Sequence, residues 1–199
     1  MTDAEQVAEV QQRLNELNSA DPHFLEHEGR QVPKELLEAE RREAWVRRLV
    51  PEPSPALLIA SRGQHVERWK SLRSDYPEGR VGYLKWRKDL SKAHAATTMR
   101  IAREVGVAES TVEAIGTIIR KEKLKTNADS QAIEDALCLS FLEFEYDAFI
   151  EKYNDEQVVN ILQKTWGKMS EKAHDLALQL HFEGRGKTLI LRALGMEEP

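Results

Sequence analysis

Between Thr2 and Leu194 apolar residues return every three or four positions, and no sustained run alternates apolar with polar. That spacing is the helical period, so the chain must bury amphipathic helices against one another rather than pair strands. Helix-start signals punctuate the stripes. Thr2 with Glu5 makes a capping box ahead of Val7, Val10, Leu14 and Leu17. Pro33 opens a segment carrying Leu36, Leu37, Ala44, Trp45 and Leu49, and Pro51 ends it. Ser54-Pro55 pairs an N-cap with proline at the first helical position, and that helix is expected to run to about Lys70. After a loop over 71–80, a long helix is predicted over 81–105, with Tyr83, Trp86, Leu90, Thr97 and Ile101 along its inner stripe and Gly106 as its stop. Ser110 with Glu113 reads as another capping box, ahead of Val112, Ile115, Ile118 and Ile119.

Segment 128–146 is apolar nearly all round, through Ile133, Leu137, Cys138, Leu139, Phe141, Leu142 and Phe144, which predicts a helix central to the core. Val158 to Trp166 marks one more helix and Ser170 starts another. Residues 18–32 read as a loop and 188–194 as a short apolar tail. The fold class is therefore all-α: a single-domain helical bundle of roughly seven to nine helices. Its expected divisions are an N-terminal helix over 1–20, a helical domain over 21–183 and a C-terminal tail over 184–199.

Function classes narrow in the same way. With 199 residues and 41% hydrophobic content the chain can bury one sizeable core. No apolar run reaches the ~18 residues of a bilayer span. The first eighteen residues are acidic and polar, unlike a secretory signal. A lone cysteine, Cys138, makes neither an internal disulfide nor a cysteine-rich zinc site. The expected compartment is the cytoplasm, without membrane association. The net charge of -5 argues against general nucleic-acid binding. Residues 61–103, however, hold 11 Lys and Arg against 4 Asp and Glu. That excess reads either as solvated helix faces or as a basic lip around an anionic small molecule.

Six histidines are present. His23 and His27 stand four apart, but Pro22 and Gly29 flank them and suggest a loop rather than a metal-binding helix face. His65 shares a face with Leu58, Arg62 and Trp69, next to Gly63, which allows close approach of a helix or a ligand. His94 falls on the inward stripe with Leu90 and Ile101. Either histidine can be a structural residue bonded to a carbonyl; two on neighbouring helices favour a shared site. Asp135 has Cys138, Leu139 and Leu142 as its helical neighbours, so its carboxylate requires a partner, either a metal or an arginine such as Arg62 or Arg68. Gly184-Arg185-Gly186-Lys187-Thr188 lacks the first glycine of a phosphate loop, since His181 stands there, and it follows a helix. No glycine-flanked serine elbow exists, and Cys138 has no neighbouring base.

The order of these residues resembles the histidine-aspartate (HD) phosphohydrolase superfamily. The 56–69 segment resembles its doublet helix, with His65 at the histidine, and the 134–142 segment resembles its late-aspartate helix, with Asp135 as the ligand. Val66 stands where the doublet has aspartate, and no early histidine lies in the 36–49 segment, where Glu40 is nearest; His27 is the other candidate. A longer resemblance is to the uncharacterised family called domain of unknown function 4202. It is carried by the 22–28 block, Pro33-Lys34-Glu35-Leu36-Leu37-Glu38-Ala39-Glu40-Arg41, Gln64-His65-Val66-Glu67-Arg68-Trp69, Tyr83-Leu84-Lys85-Trp86-Arg87-Lys88-Asp89-Leu90 and the 134–145 block.

Two functions are consistent with this reading. The first is a metal-dependent phosphohydrolase acting on a nucleotide or small phosphate ester. It would use at most one divalent ion (manganese, zinc or magnesium), held by His65 and Asp135 with His94, His27 or Glu40. Glu67 would be the base, and Arg62, Arg68, Arg73, Arg87 and Lys88 would meet the phosphate. The second is a non-catalytic helical module binding an anionic metabolite or a protein partner, with Asp135 paired to an arginine and both histidines structural.

Overall fold

The computed structural model describes residues 1–196. Among the described residues 70% are helical, in ten α-helices and a few short turns of other helix types, and there is a single short hairpin. None of these helices is long and apolar enough to cross a membrane. The chain divides into two compact units, with the division between Ile133 and Glu134.

The first unit contains α1 (Asp3–Asn18), the strands β1 (Phe24–His27) and β2 (Arg30–Pro33), α2 (Lys34–Leu49), α3 (Pro55–Gly63), α4 (Gly79–Val105) and α5 (Glu109–Ile119). Helix α3 is its centre and packs against α1, α2, α4 and α5. The reason lies in its composition. Six of its nine residues are buried, among them Ala56, Ala60, Ser61 and Gly63, whose small side chains let neighbouring backbones approach from several sides. A Cβ on Gly63 would overlap the Thr98 side chain of α4. The close approach that glycine permits here is thus to a helix. The surrounding core comes from Val10, Leu14, Leu37, Trp45, Ile101, Val112, Ile115 and Ile119. Asn127 begins α6 (Ala128–Ser140) by accepting from the Ser130 N–H at 2.9 Å. Early in that helix, Asp129 accepts from the hydroxyl of Ser54, the N-cap of α3, at 2.7 Å.

In the second unit α6 runs into a π-helical turn, Phe141–Glu145, and then α7 (Tyr146–Ile150), α8 (Asp155–Trp166), α9 (Glu171–Ala177) and α10 (Gly184–Leu194). Helix α10 packs against α8 and α7. Tyr146 donates its hydroxyl to the Gly186 carbonyl at 3.0 Å. Arg185 bonds Asp155 at 2.7 Å and the Ile150 carbonyl at 2.6 Å.

Several expectations need correction. Residues 24–33 form an antiparallel hairpin, Phe24 opposite Pro33 and His27 opposite Arg30, in place of the loop expected over 18–32 and the helix start expected at Pro33. Glu28 and Gly29 turn it with φ of 50° and 74°, the doubly left-handed geometry that matches strand twist. Glutamate is an unusual residue for that role, so the turn carried no sequence signal. The helix from Pro55 ends at Gly63 rather than Lys70, because Glu67 takes φ 55° and a 3-10 turn, Arg68–Lys70, follows. Ser110 is not a cap: α5 starts at Glu109 after Ala108, and Glu113 instead faces Arg103 at 3.4 Å. The π-helical turn rotates the stripe of the apolar segment, so Phe144 is exposed while Leu142 stays buried. The 184–194 stretch is a regular helix with a left-handed Gly195 cap rather than a tail. The first helix packs on α3 and α4 within its unit.

Candidate functional site

Several buried polar groups of the first unit gather around His65. Helix α2 supplies one wall. Glu35, Glu38, Arg42, Trp45 and Leu49 recur at steps of three and four, so one helix face changes from apolar at its C-terminal end to charged at its N-terminal end. Glu35, Glu38 and Arg42 are all buried. The N-terminus of α2 is fixed from outside. Pro33 offers no side-chain cap, and Asp21, itself buried, accepts from the Glu35 N–H at 3.0 Å and from His23 Nδ1 at 2.8 Å.

Past α3, the chain turns sharply to present the second wall. The Glu67 N–H donates to Asn18 Oδ1 at 3.1 Å, which holds the left-handed residue in place. This turn aims the Val66 carbonyl at α4, where His94 Nδ1 meets it at 2.8 Å. A carbonyl only accepts, so Nδ1 carries the proton and Nε2 is a bare acceptor. His94 is 4% exposed, and Nε2 has no hydrogen-bond partner. The rings of His65 and His94 stand 5.9 Å apart.

His65 keeps 26% of its side-chain surface, which opens the cluster to solvent. Both ring nitrogens face guanidinium groups: Nδ1 lies 3.1 Å from Arg42 Nη2, and Nε2 lies 3.4 Å from Arg68 Nη1. Arg42 is anchored by donating to the Ser61 carbonyl at 2.9 Å, and Arg68 lies over the Trp86 ring at 5.4 Å. Burial, then Arg42 and Arg68, push the His65 pKa well below the usual histidine range. Burial also lowers His94, to about 4, against the opposing effect of its bond to Val66. Both imidazoles are neutral at pH 7. Glu35 Oε2 lies 4.0 Å from His65 Nδ1 and has no hydrogen-bond partner; burial raises the Glu35 pKa, with Arg42 and Arg68 acting against it.

Of the residues singled out in the sequence, the structure brings together His65, His94 and Arg68. Arg62 pairs with Glu43 at 2.5 Å and with Glu40 at 3.6 Å, which places Glu40 in a different network, on the exposed side of α2. Glu67 is paired to Lys70. Arg73 donates to the Tyr76 carbonyl at 3.0 Å and to the Gly79 carbonyl at 3.3 Å, bracing the loop before α4. Arg87 lies 5.8 Å from the Tyr83 ring, and Lys88 is exposed. His27 is exposed beside the hairpin turn.

Asp135 belongs to the second unit. It is 3% exposed and accepts from the Ser170 N–H at 2.9 Å and the Ser170 hydroxyl at 2.6 Å, tying α6 to the start of α9. The expected burial and partnership are therefore present, with serine among its partners. Arg42 and Glu35 were missed, although charges at the buried positions of the Trp45–Leu49 stripe were a signal available in the sequence.

Two nitrogens that face guanidinium groups suit a divalent cation poorly, and the described residues hold no group of three or more His, Cys, Asp or Glu able to bind one. No curated protein and no solved structure matches the chain. A family model described as "Domain of unknown function (DUF4202)" matches residues 8–190. Since that match spans most of both units, the chain belongs to the DUF4202 family.

Proposed function

We propose that the first unit binds a small anionic ligand of the phosphate or phosphomonoester class, through Arg42, Arg68 and His65, without a catalytic metal. The observation that carries this reading is the pair of guanidinium groups on either side of the partly open, neutral His65 ring. Guanidinium forks match tetrahedral oxyanions, and in a part-buried setting the attraction is little screened. Lys121 adds positive potential at the same imidazole.

Titration of the purified chain with inorganic phosphate and simple phosphomonoesters, read by calorimetry at low ionic strength, tests the reading. Arg68→Ala is expected to weaken binding by roughly tenfold or more, the value of a charge-assisted hydrogen bond. No binding of any of these anions, or unchanged affinity in Arg68→Ala, would refute it.

The metal-dependent hydrolase of the HD type retains one supporting observation. His94 donates Nδ1–H to a carbonyl and presents Nε2, the way a metal-ligating imidazole is commonly held. Metal analysis of the chain as purified, and after manganese or zinc loading, decides between the readings. A stoichiometric ion that is lost in His94→Ala would replace the anion-binding reading.

A further inference from the structure

Two buried acceptors beside His65 lack any donor. His94 Nε2 is one, since Nδ1 holds the proton for the Val66 carbonyl; Glu35 Oε2 is the other. Both residues are more than nine-tenths buried. A buried acceptor left without a donor is costly, so two of them in one cluster demand an explanation. Arg42 and Arg68 bring guanidinium N–H groups to opposite sides of the same ring, and a neutral imidazole accepts from only one of them. The cluster thus offers donors and acceptors together, and a fully ionised oxyanion can satisfy only the donors.

Resting on the anion-binding reading, we infer that the site selects an oxyanion that still carries a proton, a hydrogen-phosphate-type group. Its ionised oxygens meet Arg42 and Arg68, and its O–H donates to Glu35 Oε2 or His94 Nε2. An ion of equal charge and shape but without a proton places an oxygen lone pair against these acceptors and is repelled. This is selection by hydrogen-bond polarity, and no difference in net charge is needed.

Hydrogen phosphate and sulfate provide the test. At mildly alkaline pH both are tetrahedral dianions, and only phosphate carries a proton. Calorimetric titration of the full chain should give phosphate an affinity at least roughly tenfold above sulfate. Glu35→Gln, an isosteric change, replaces an acceptor by an amide that can donate. It should shrink or reverse the preference by strengthening sulfate. Equal affinities in the unmodified chain would overturn the selection while leaving anion binding in place, and would mean that water satisfies the two acceptors. A preference unchanged in both Glu35→Gln and His94→Gln would also overturn it. Failure of both ions to bind would remove the anion-binding reading and this inference with it.

Discussion

Asp135 shows how a single residue can be read correctly in kind and left open in detail. A carboxylate with Cys138, Leu139 and Leu142 around it on one helix had to be partnered, and it is. One partner is Ser170, 35 positions away, and no local pattern encodes that. It accepts the backbone N–H and the hydroxyl of the residue that caps α9. Asp135→Ala is therefore expected to destabilise the chain by about 1–3 kcal/mol, the scale of a lost cap plus an unsatisfied donor. Asp135→Asn, which keeps one acceptor oxygen, should cost less. Urea unfolding of both variants measures the difference; equal losses would contradict the capping role. His65 and His94 contrast with it, since the inward stripe placed His94 correctly while the turn at Glu67 that brings the Val66 carbonyl to it was not legible.

Among the elements, α3 and the hairpin carry the clearest tests. Gly63 lies where α3 crosses α4, and an added Cβ would overlap Thr98. Gly63→Ala should cost about 1–3 kcal/mol through overpacking. The cost should be smaller in a Thr98→Ala background, because the obstructing side chain has been cut back. A double-mutant cycle reads that coupling, and additivity of the two changes would contradict the contact. The hairpin makes the opposite prediction. Glu28 holds φ 50° in a turn that favours asparagine or glycine, so Glu28→Asn should raise stability by about 0.5–1 kcal/mol. A lower urea midpoint in that variant would argue against the turn geometry. Both elements position the candidate site, α3 as the packing centre of the first unit and the hairpin as the lead into Asp21-capped α2.

For the molecule as a whole, the buried imidazoles set a pH dependence. His94 is neutral when folded, with a pKa of about 4 against 6.5 when free, so the unfolded chain takes up its proton first as pH falls. Its contribution is complete above pH 6.5, declines between 6.5 and about 4, and is constant below; the span is about 3 kcal/mol. His65, also lowered, acts in the same direction. Glu35, raised above 4.5, acts in the opposite one: its contribution is full below 4.5 and fades as pH rises through the folded value. Urea midpoints between pH 7 and 4 should fall, and His94→Gln should flatten that fall; an unchanged slope in the variant would contradict the burial of His94. The sequence alone determined most of the helices, because a 3.6-residue stripe is a property of neighbouring residues and capping pairs such as Thr2 and Glu5 act within one turn. It also required Asp135 to be buried and partnered. Tertiary structure decided the rest. Asp21 caps α2 from 14 residues away, and Arg42 reaches His65 from 23 away. Such partners are chosen by packing between elements, where burial makes an unmet polar group costly and so selects whichever donor or acceptor the fold brings within reach.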